Sequence, residues 1–319
     1  MKYKNILHSS LLAYKRNMQC RIPIQKNTGV LSSHSPIFSH WNSHTISLSR
    51  IKNRRKSLAY FRTLDKLYPL YFDKAALYVS KENMTVVDYG CGPGTDVLGW
   101  LLWSKPSKVI GIDISEKALK EARQRIFLHR KEIDLKKLEL IQIEENGDIP
   151  LQDSSVDYIN CLGVLHHASQ PDRILNEFFR ILKPGGQARI MVYNYHSVYL
   201  HLNIAYELQV AQNFMKGHKA DFVYQQISDS GAPFSRLYKY EEFLNMGSEA
   251  GFRVEYLGAA FSVTELDSLR TSLSAALTSK HLPLEHFNFL SALEIKDDGI
   301  PFYKGYEAGL DSIFQFTKH

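Results

Sequence analysis

Residues 85–115 contain a short apolar segment, a glycine-rich turn, a longer apolar segment and a second short apolar segment that ends in an acid. The turn places glycine at alternate positions, Gly90, Gly92 and Gly94, and Asp113 ends the second short segment. A strand, a tight turn, a helix and a strand in this order form the crevice where doubly wound α/β proteins bind nucleosides. We therefore predict an α/β fold with a nucleoside site at this turn.

The three glycines and the acid have separate predicted roles. Gly90 and Gly92 let the backbone turn tightly and approach a ligand without a Cβ in the way. Gly94 lets the following helix begin close to the strand. Asp113, at the carboxyl end of the second strand, can accept hydrogen bonds from ribose hydroxyls. These features suit any cofactor that contains adenosine.

The charge beside the turn distinguishes between cofactors. Asp88 lies at the end of the first predicted strand, two residues ahead of Gly90. A dinucleotide loop spaces its last two glycines by one residue more, and a pyrophosphate sits on the helix N-terminus. A carboxylate repels a pyrophosphate and attracts the cationic amino-acid end of S-adenosylmethionine. S-adenosylmethionine is therefore the predicted cofactor.

Two further segments follow in order along the chain. Residues 153–167 read Asp-Ser-Ser-Val-Asp-Tyr-Ile-Asn-Cys-Leu-Gly-Val-Leu-His-His, and residues 182–186 read Leu-Lys-Pro-Gly-Gly. With the glycine turn and Asp113, these segments resemble the class I S-adenosylmethionine-dependent methyltransferases, specifically the small-molecule type. The resemblance implies a doubly wound, mostly parallel, seven-stranded sheet.

The predicted domain organisation follows from this resemblance. Residues 57–319 form one methyltransferase domain, with helical covers at 57–80, 195–240 and 260–305. Six of the strands are expected at Val86–Asp88, Lys108–Asp113, Leu138–Ile143, Gln187–Tyr193, Gly251–Tyr256 and Asp311–Thr317, and the fourth strand, with the loop after it, lies within 153–167.

The resemblance also implies a set of cofactor-binding residues. The acidic stretch after the third strand meets the adenine ring in this family, so Glu145 and Asn146 are candidates for the exocyclic amine, with Asp148 as the alternative. The predicted cofactor-binding residues are Asp88, Gly90, Cys91, Gly92, Gly94, Asp113, Ile114, Glu145, Asn146 and Leu162.

Methyl transfer requires few functional groups, because the protein chiefly aligns donor and acceptor and excludes water. A base is needed only for acceptors that must lose a proton, and histidine is the usual one. His166 and His167 follow the fourth strand, where the family places a loop facing the transferred methyl. Alternatively His166 packs or binds backbone and His167 begins the next helix.

Two other polar groups are candidates for the acceptor side. Arg236 and Tyr238 follow the Gly-Ala-Pro turn after Ser230, and we predict that Arg236 binds an acceptor oxygen while Tyr238 positions it. The alternative for Arg236 is a surface ion pair with Glu241 or Glu242. His196, just after the fifth strand, is an alternative base. Neighbouring tyrosines form an aromatic lid.

Charge divides the chain into two parts. Residues 1–64 contain twelve Lys or Arg and no Asp or Glu, whereas residues 65–319 contain 27 basic and 33 acidic residues. We interpret residues 1–56 as a leader: a transit peptide, a disordered tail, or a basic arm that touches anionic membrane or RNA. The acidic remainder argues against a nucleic-acid substrate. The expected compartment is the cytoplasm or the mitochondrial matrix.

Cysteine spacing and hydropathy limit the remaining possibilities. Cys20, Cys91 and Cys161 are too far apart in sequence for a disulfide framework or a zinc site, and no metal is predicted. The chain has no apolar stretch of about 18 residues, so no membrane-spanning helix is expected. No oligomeric state is predicted.

The leading function is thus methyl transfer to a small organic acceptor by in-line displacement. The first alternative is a catalytically silent, cofactor-binding protein that acts as an assembly factor in an organelle. The second is a nicotinamide-dependent oxidoreductase, which predicts binding of the dinucleotide and none of S-adenosylmethionine.

Overall fold

The computed structural model describes residues 22–26, 35–44, 51–145 and 148–319. The strands are β1 Ile24–Lys26, β2 Thr85–Tyr89, β3 Lys108–Asp113, β4 Leu138–Gln142, β5 Val156–Leu162, β6 Leu182–Tyr193, β7 Phe252–Ala260, β8 Glu294–Ile295, β9 Pro301–Tyr303, β10 Tyr306–Glu307 and β11 Asp311–Lys318. The α-helices are α1 Pro36–Ser43, α2 Arg54–Leu67, α3 Tyr71–Lys74, α4 Thr95–Trp103, α5 Glu116–Phe127, α6 Pro171–Ile181, α7 Ala220–Ile227, α8 Tyr240–Glu249, α9 Val263–Thr271, α10 Leu273–Thr278 and α11 Leu284–Ser291. A π-type helix spans Tyr199–Ala211.

The main sheet has the strand order β1-β4-β3-β2-β5-β6-β11-β7. Neighbouring strands from β1 to β6 pair in parallel, and β11 is antiparallel to both β6 and β7. All seven predicted strands are present, and the predicted doubly wound α/β class is confirmed. The fifth strand begins at Leu182, earlier than expected, because Leu182 pairs with Val156 before the register shifts.

An eighth strand is the correction to the predicted seven-stranded sheet. Ile24 of β1 pairs with Leu140 of β4, at an edge whose backbone groups are otherwise open to a partner. Ile22, two residues before this strand, is 4% exposed, and Lys26 forms an ion pair with Glu116 at 3.0 Å. The sheet therefore extends into the acid-free segment.

Further parts of that segment are also built into the fold. Helix α1 lies within the predicted leader 1–56, and α2 begins at Arg54, where the Asn53 side chain accepts a hydrogen bond from the Lys56 N–H at 2.9 Å. Residues 1–21, 27–34 and 45–50 lie outside the described residues. The targeting or disorder of those residues remains a prediction.

Successive side chains along the central strands point to opposite faces of the sheet and pack into two apolar layers. Val86 of β2 and Val109 of β3 face α4 and α5, and their neighbours Val87 and Ile110 face α6 and α8. All four side chains are buried, as expected for parallel strands covered on both faces. The Ser115 side chain caps α5 by accepting from the backbone of that helix.

The remaining helices form a cover beside the carboxyl ends of the strands. A third apolar cluster joins the π-type helix to α7, α9, α10 and α11. The strands β8, β9 and β10 form a separate small antiparallel sheet within this cover. Among the described residues, no helix is both long and apolar enough to cross a membrane.

Candidate active site

A cavity with a volume of about 570 Å³ lies at the carboxyl ends of β2, β3 and β5. Parallel strands that end together form this kind of crevice, because backbone turns diverge from one edge. Three groups of residues line it. The strand ends and turns contribute Asp88, Tyr89, Gly90, Cys91, Gly92, Pro93, Thr95, Asp96, Ile112, Asp113, Ile114, Ser115, Glu145, Leu162, Gly163 and Val164; the N-terminal helices contribute Ile37, Trp41, Tyr60, Leu64, Leu67, Tyr68 and Tyr71; later segments contribute His167, Met191, Tyr193, Asp229, Leu310 and Asp311.

The glycine turn has the backbone conformation that its sequence predicts. Gly90, Gly92 and Gly94 have φ values of +72°, +50° and +76°. Gly92 lines the cavity, and a Cβ there would meet no atom of the described residues within 4 Å, its two chain neighbours apart. A Cβ at Gly94 would lie 2.7 Å from Cβ of Ala122 in α5. Gly92 thus leaves room for a ligand, and the close approach at Gly94 is to a helix instead of the predicted strand.

Asp113 connects the end of β3 to the glycine turn. Its Oδ2 accepts the Gly92 N–H at 2.7 Å, and its Oδ1 accepts the Ser115 N–H at 2.7 Å. Burial raises the pKa of Asp113 to about 6, although these backbone donors oppose the shift. Each oxygen retains a further lone pair for a hydroxyl donor. Ile114, the next residue, also lines the cavity.

Two carboxylates, the buried Asp88 and the half-buried Asp96, flank the glycine turn and share one amide donor. The Asn160 amide donates to Oδ1 of Asp88 at 2.8 Å and to Oδ2 of Asp96 at 3.3 Å. Oδ2 of Asp88 has no hydrogen-bond partner within the described part of the chain. Burial, followed by the charge of Asp96, raises the pKa of Asp88 well above its usual range. The pair therefore favours a cationic ligand group.

Asp96 was missed by the sequence analysis. It stands at the second position of α4, where an acid also stabilises the helix N-terminus, so its position alone suggested no ligand role. Burial raises the pKa of Asp96, and its Oδ1 accepts the Tyr78 hydroxyl at 2.5 Å. Tyr78 comes from the predicted N-terminal cover, a contact that local sequence does not show.

Glu145 reaches the cavity from the loop after β4. The Ser169 hydroxyl donates to Oε1 of Glu145 at 2.7 Å, and the Ser35 hydroxyl donates to Oε2. Asn146, its predicted partner, lies outside the described residues. Cys91 and Leu162 also line the cavity, and burial raises the pKa of the Cys91 thiol well above its usual range.

Helix α1 covers the cofactor side of the cavity. Its Ile37 and Trp41 side chains line the cavity, and the Trp41 ring packs against the His167 ring with centroids 4.9 Å apart. The Ser115 hydroxyl donates to the Asn42 side chain at 3.1 Å. Sequence analysis assigned these residues to a leader because no acid accompanies them. Ser35 followed by Pro36 is the helix-start signal that could have indicated α1.

The two adjacent histidines have different environments. His166 is fully buried, its ring stacks on Tyr193 with centroids 3.6 Å apart, and neither ring nitrogen has a partner among the residues described. Burial lowers the pKa of His166 well below its usual range. His166 thus packs in the interior, the alternative that the sequence left open, and only His167 lines the cavity.

Both ring nitrogens of His167 are engaged by the protein. Nδ1 lies 2.6 Å from the carbonyl oxygen of Phe234 and must donate to it, since a carbonyl only accepts. Nε2 lies 3.3 Å from Oδ2 of Asp229, which also accepts the Tyr193 hydroxyl at 3.0 Å and the Ser228 hydroxyl at 2.6 Å. Burial opposes ionisation of Asp229, but His167 and Ser228 lower its pKa below the usual range.

The other predicted acceptor-side residues lie away from the cavity lining. The Arg236 guanidinium donates to the carbonyl oxygens of Ala168 and Ser169, and the predicted alternative pairing with Glu241 or Glu242 does not form. Tyr238 is 7% exposed and packs on Phe243, and its backbone bonds to Tyr193.

His196 also lies outside the lining. Its ring is close to Tyr303, with centroids 5.0 Å apart, and burial lowers its pKa. The described residues contain no group of three His, Cys, Asp or Glu side chains placed to hold a metal ion.

Comparison of the sequence with known proteins gives a family match and several relatives. Residues 80–241 match the family model described as a methyltransferase domain. A ubiquinone biosynthesis O-methyltransferase of Dechloromonas aromatica is 28% identical over 134 residues, which are 42% of this chain and 55% of that protein. A protein of the same name from Thiobacillus denitrificans is 27% identical over 200 residues, 62% of this chain and 76% of that protein. The chain thus spans about half the length of the first of these relatives.

One solved structure similar to the chain is the phospholethanolamine N-methyltransferase 2 of Haemonchus contortus, in complex with phosphomonomethylethanolamine and S-adenosylhomocysteine. The sequence identity is 16%, the TM-score is 0.49, and the alignment covers 87% of this chain and 60% of that one.

Fold and site define an α/β domain that binds an adenosine-containing cofactor at the carboxyl edge of its sheet. The family match covers half of the chain, from before β2 to the start of α8. This chain belongs to the S-adenosylmethionine-dependent methyltransferases. As a member of this family, the chain is assigned S-adenosylmethionine as its cofactor.

Proposed function

We propose that this enzyme transfers a methyl group from S-adenosylmethionine to a small organic acceptor by in-line displacement. One observation carries the proposal: the carboxylates of the glycine turn and an aromatic wall from α1, α2 and α3 line the same cavity of about 570 Å³. Small-molecule sites have volumes of about 300 to 1,000 Å³, so one cavity suits a cofactor with a small acceptor.

Different carboxylates would bind different parts of the cofactor. Asp88 and Asp96 would bind the cationic amino group, because Oδ2 of Asp88 is buried, lines the cavity and has no partner among the described residues. Asp113 would bind the ribose hydroxyls with its remaining lone pairs. Glu145 would accept from the adenine amine. When bound, S-adenosylmethionine supplies an electrophilic methyl group on a cationic sulfur.

The aromatic wall would hold the acceptor and exclude water. Tyr60, Tyr68 and Tyr71, with Leu64 and Leu67, come from the predicted cover 57–80 and line the cavity beyond the glycine turn. No Lys or Arg of the described residues lines this cavity. A nucleic-acid substrate normally needs basic groups for its phosphates, so this lining supports a small acceptor.

His167 would act as a positioning residue. Its two ring nitrogens are held by Phe234 and Asp229, so neither has a lone pair directed at an acceptor. Its ring packs against the Trp41 ring, which forms part of one wall of the cavity. Arg236 would have a similar role, because its bonds to the Ala168 and Ser169 carbonyls hold the loop whose Ser169 binds Glu145.

Two measurements test the proposed function. Calorimetry with S-adenosylhomocysteine tests the cofactor site. Incubation of the protein with cell extract and methyl-labelled S-adenosylmethionine tests turnover. We expect binding and transfer of label into the small-molecule fraction. Label in protein or nucleic acid would contradict a small acceptor. Binding without any transfer would support the catalytically silent assembly factor instead. The assignment to the cytoplasm or the mitochondrial matrix remains a prediction.

A further inference from the structure

Asp311 is a buried acid on the acceptor side of the cavity. It is the first residue of β11, where it pairs with Tyr193 of β6 and Ala260 of β7 at the edge of the sheet that contains the glycine turn. Asp311 is 7% exposed and lines the cavity. Its carboxylate has no hydrogen bond or ion pair with any residue in the described ranges.

The other acids in the lining differ from Asp311 in this respect. Each has at least one polar partner in the protein: Asp88 and Asp96 share Asn160, Asp113 binds two backbone N–H groups, Glu145 binds Ser169, and Asp229 binds Tyr193. The proposed function also assigns four of them to the cofactor and Asp229 to His167. The Asp311 carboxylate has no hydrogen bond or ion pair among the residues that the structure describes, and the proposed function gives it no role.

The surroundings of Asp311 are negative. Burial raises the pKa of Asp311 well above its usual range, and the charges of Glu265 and Asp229 add to this shift. Glu265 is itself satisfied by the Ser262 and Leu310 N–H groups and supplies no cation. A buried carboxylate without a partner is costly, so a ligand with positive charge would be strongly favoured at this point.

Tyrosine rings complete this part of the cavity. Tyr68, Tyr71 and Tyr193 line it, and the Tyr68 and Tyr71 rings lie 6.2 Å apart. Tyr193 is the β6 residue that pairs with Asp311 in the sheet. Burial is the largest cause of the raised pKa of all three hydroxyls, and the charge of Asp311 is among the further causes. The Tyr68 and Tyr71 hydroxyls have no hydrogen-bond partner in the described part of the protein. Aromatic faces next to a carboxylate are a setting that binds cations.

We propose that Asp311 binds a positively charged nitrogen of the methyl acceptor, so that the acceptor is a small molecule bearing an amine and not an anion. This inference rests on the proposed function, because it takes this half of the cavity as the acceptor site. The assignment concerns recognition: Asp311 and the tyrosines hold the cationic group, whichever acceptor atom receives the methyl.

Calorimetry with matched probes tests the proposal. Protein loaded with S-adenosylhomocysteine is titrated with hexylamine, phenethylamine and tryptamine, with the alcohols of the same skeletons, and with hexanoate, phenylacetate and indoleacetate. We expect at least one amine to bind about tenfold or more tightly than its alcohol, and no carboxylate to bind. Alcohols that match or exceed their amines, carboxylates that bind, or the failure of every amine to bind would each overturn the proposal.

Two variants assign the preference to this residue. Asp311→Asn should bring the amine and its alcohol to within about twofold of each other while S-adenosylhomocysteine still binds, and an amine preference that survives would overturn the role of Asp311. Asp267→Asn removes the same charge from an exposed position and should retain the preference. The wild-type comparison decides the acceptor class even if Asp311→Asn does not fold. Wild-type protein that fails to bind S-adenosylhomocysteine would instead overturn the proposed function.

Discussion

The carboxylate of Asp113 accepts the backbone N–H of Gly92 at 2.7 Å. This bond joins the end of β3 to the turn after β2, so the acid shapes the glycine turn as well as facing the cavity. A second bond from the Ser115 N–H occupies the other oxygen. The cofactor site is therefore preorganised by groups that lie more than twenty residues apart in sequence.

Asp113→Asn should weaken binding of S-adenosylhomocysteine by about 1 to 3 kcal/mol, because it removes charged hydrogen-bond acceptors from the proposed ribose site and from the turn. Calorimetry at neutral pH measures the change. Asp267→Asn, an exposed acid, is the matched control and should bind as wild type does. Equal affinities for the two variants would contradict the ribose assignment.

Cofactor affinity should rise with pH and level off above about pH 6. Burial raises the pKa of Asp113 to about 6, so the carboxyl is largely protonated below that pH. Hydroxyl donors bind the ionised form better, and binding therefore releases a proton on the acidic side. Titrations from pH 5 to pH 8 measure the profile, and Asp113→Asn should flatten its part near pH 6. A profile identical in both proteins would refute this assignment.

Gly92→Ala and Gly94→Ala should fail in different ways. Gly92→Ala meets no atom of the described residues beyond its chain neighbours, so it should cost about 1 kcal/mol of folding stability from its positive φ while reducing cofactor affinity. Gly94→Ala meets Cβ of Ala122 at 2.7 Å and should lose about 2 to 4 kcal/mol. Urea unfolding and calorimetry separate the two effects.

A double mutant checks the origin of the Gly94 effect. Ala122→Gly removes the Cβ that Gly94→Ala would contact, so the two changes together should be less destabilising than the sum of the single changes. Strict additivity would show that the clash with α5 is not the cause.

Trp41→Ala should accelerate dissociation of S-adenosylhomocysteine. The Trp41 ring lines the cavity and packs against His167, so its loss opens one wall and removes apolar contact of about 1 to 2 kcal/mol. Stopped-flow displacement measures the rate. Ser39→Ala, on the exposed face of the same helix, is the control. The same rate in both variants would mean that α1 does not enclose the cofactor.

Asp311→Asn should stabilise the folded protein by about 1 to 3 kcal/mol at pH 7, because it removes an unpaired buried charge. The raised pKa of Asp311 means that wild-type stability falls as pH rises above the unfolded-state value of about 3.9. The advantage of the variant should therefore be larger at pH 7 than at pH 4. Urea unfolding at both pH values measures it, and a destabilised variant at pH 7 would show that the carboxylate has a structural partner.

The local pattern predicted the sheet well. Short apolar segments, the glycine turn and Asp113 determine where β2 and β3 begin and end, since these features depend on backbone conformations set by neighbouring residues. The same pattern could not predict β1, because three residues bound to a sheet edge have no periodicity of their own. Composition alone also assigned α1 to a leader.

On the acceptor side of the cavity, the sequence predicted much less of the structure than it did for the sheet. The sequence made both His166 and His167 candidates on the loop after β5, but the structure places the His166 ring in the interior and the His167 ring at the cavity. The sequence predicted that Arg236 binds the acceptor, but its guanidinium donates to the carbonyl oxygens of Ala168 and Ser169. Side-chain direction in loops depends on what packs against them, which the local sequence does not contain.

The amino-acid sequence by itself determined the class of fold and the position of the glycine turn, because glycine conformation and strand periodicity act over a few neighbouring residues. Only the tertiary structure brought Asp96, Asp229 and Asp311 to the same cavity and folded α1 over it. Those contacts join residues that are far apart in the chain. Burial of apolar surface brings these residues together, and its free energy depends on the whole folded domain.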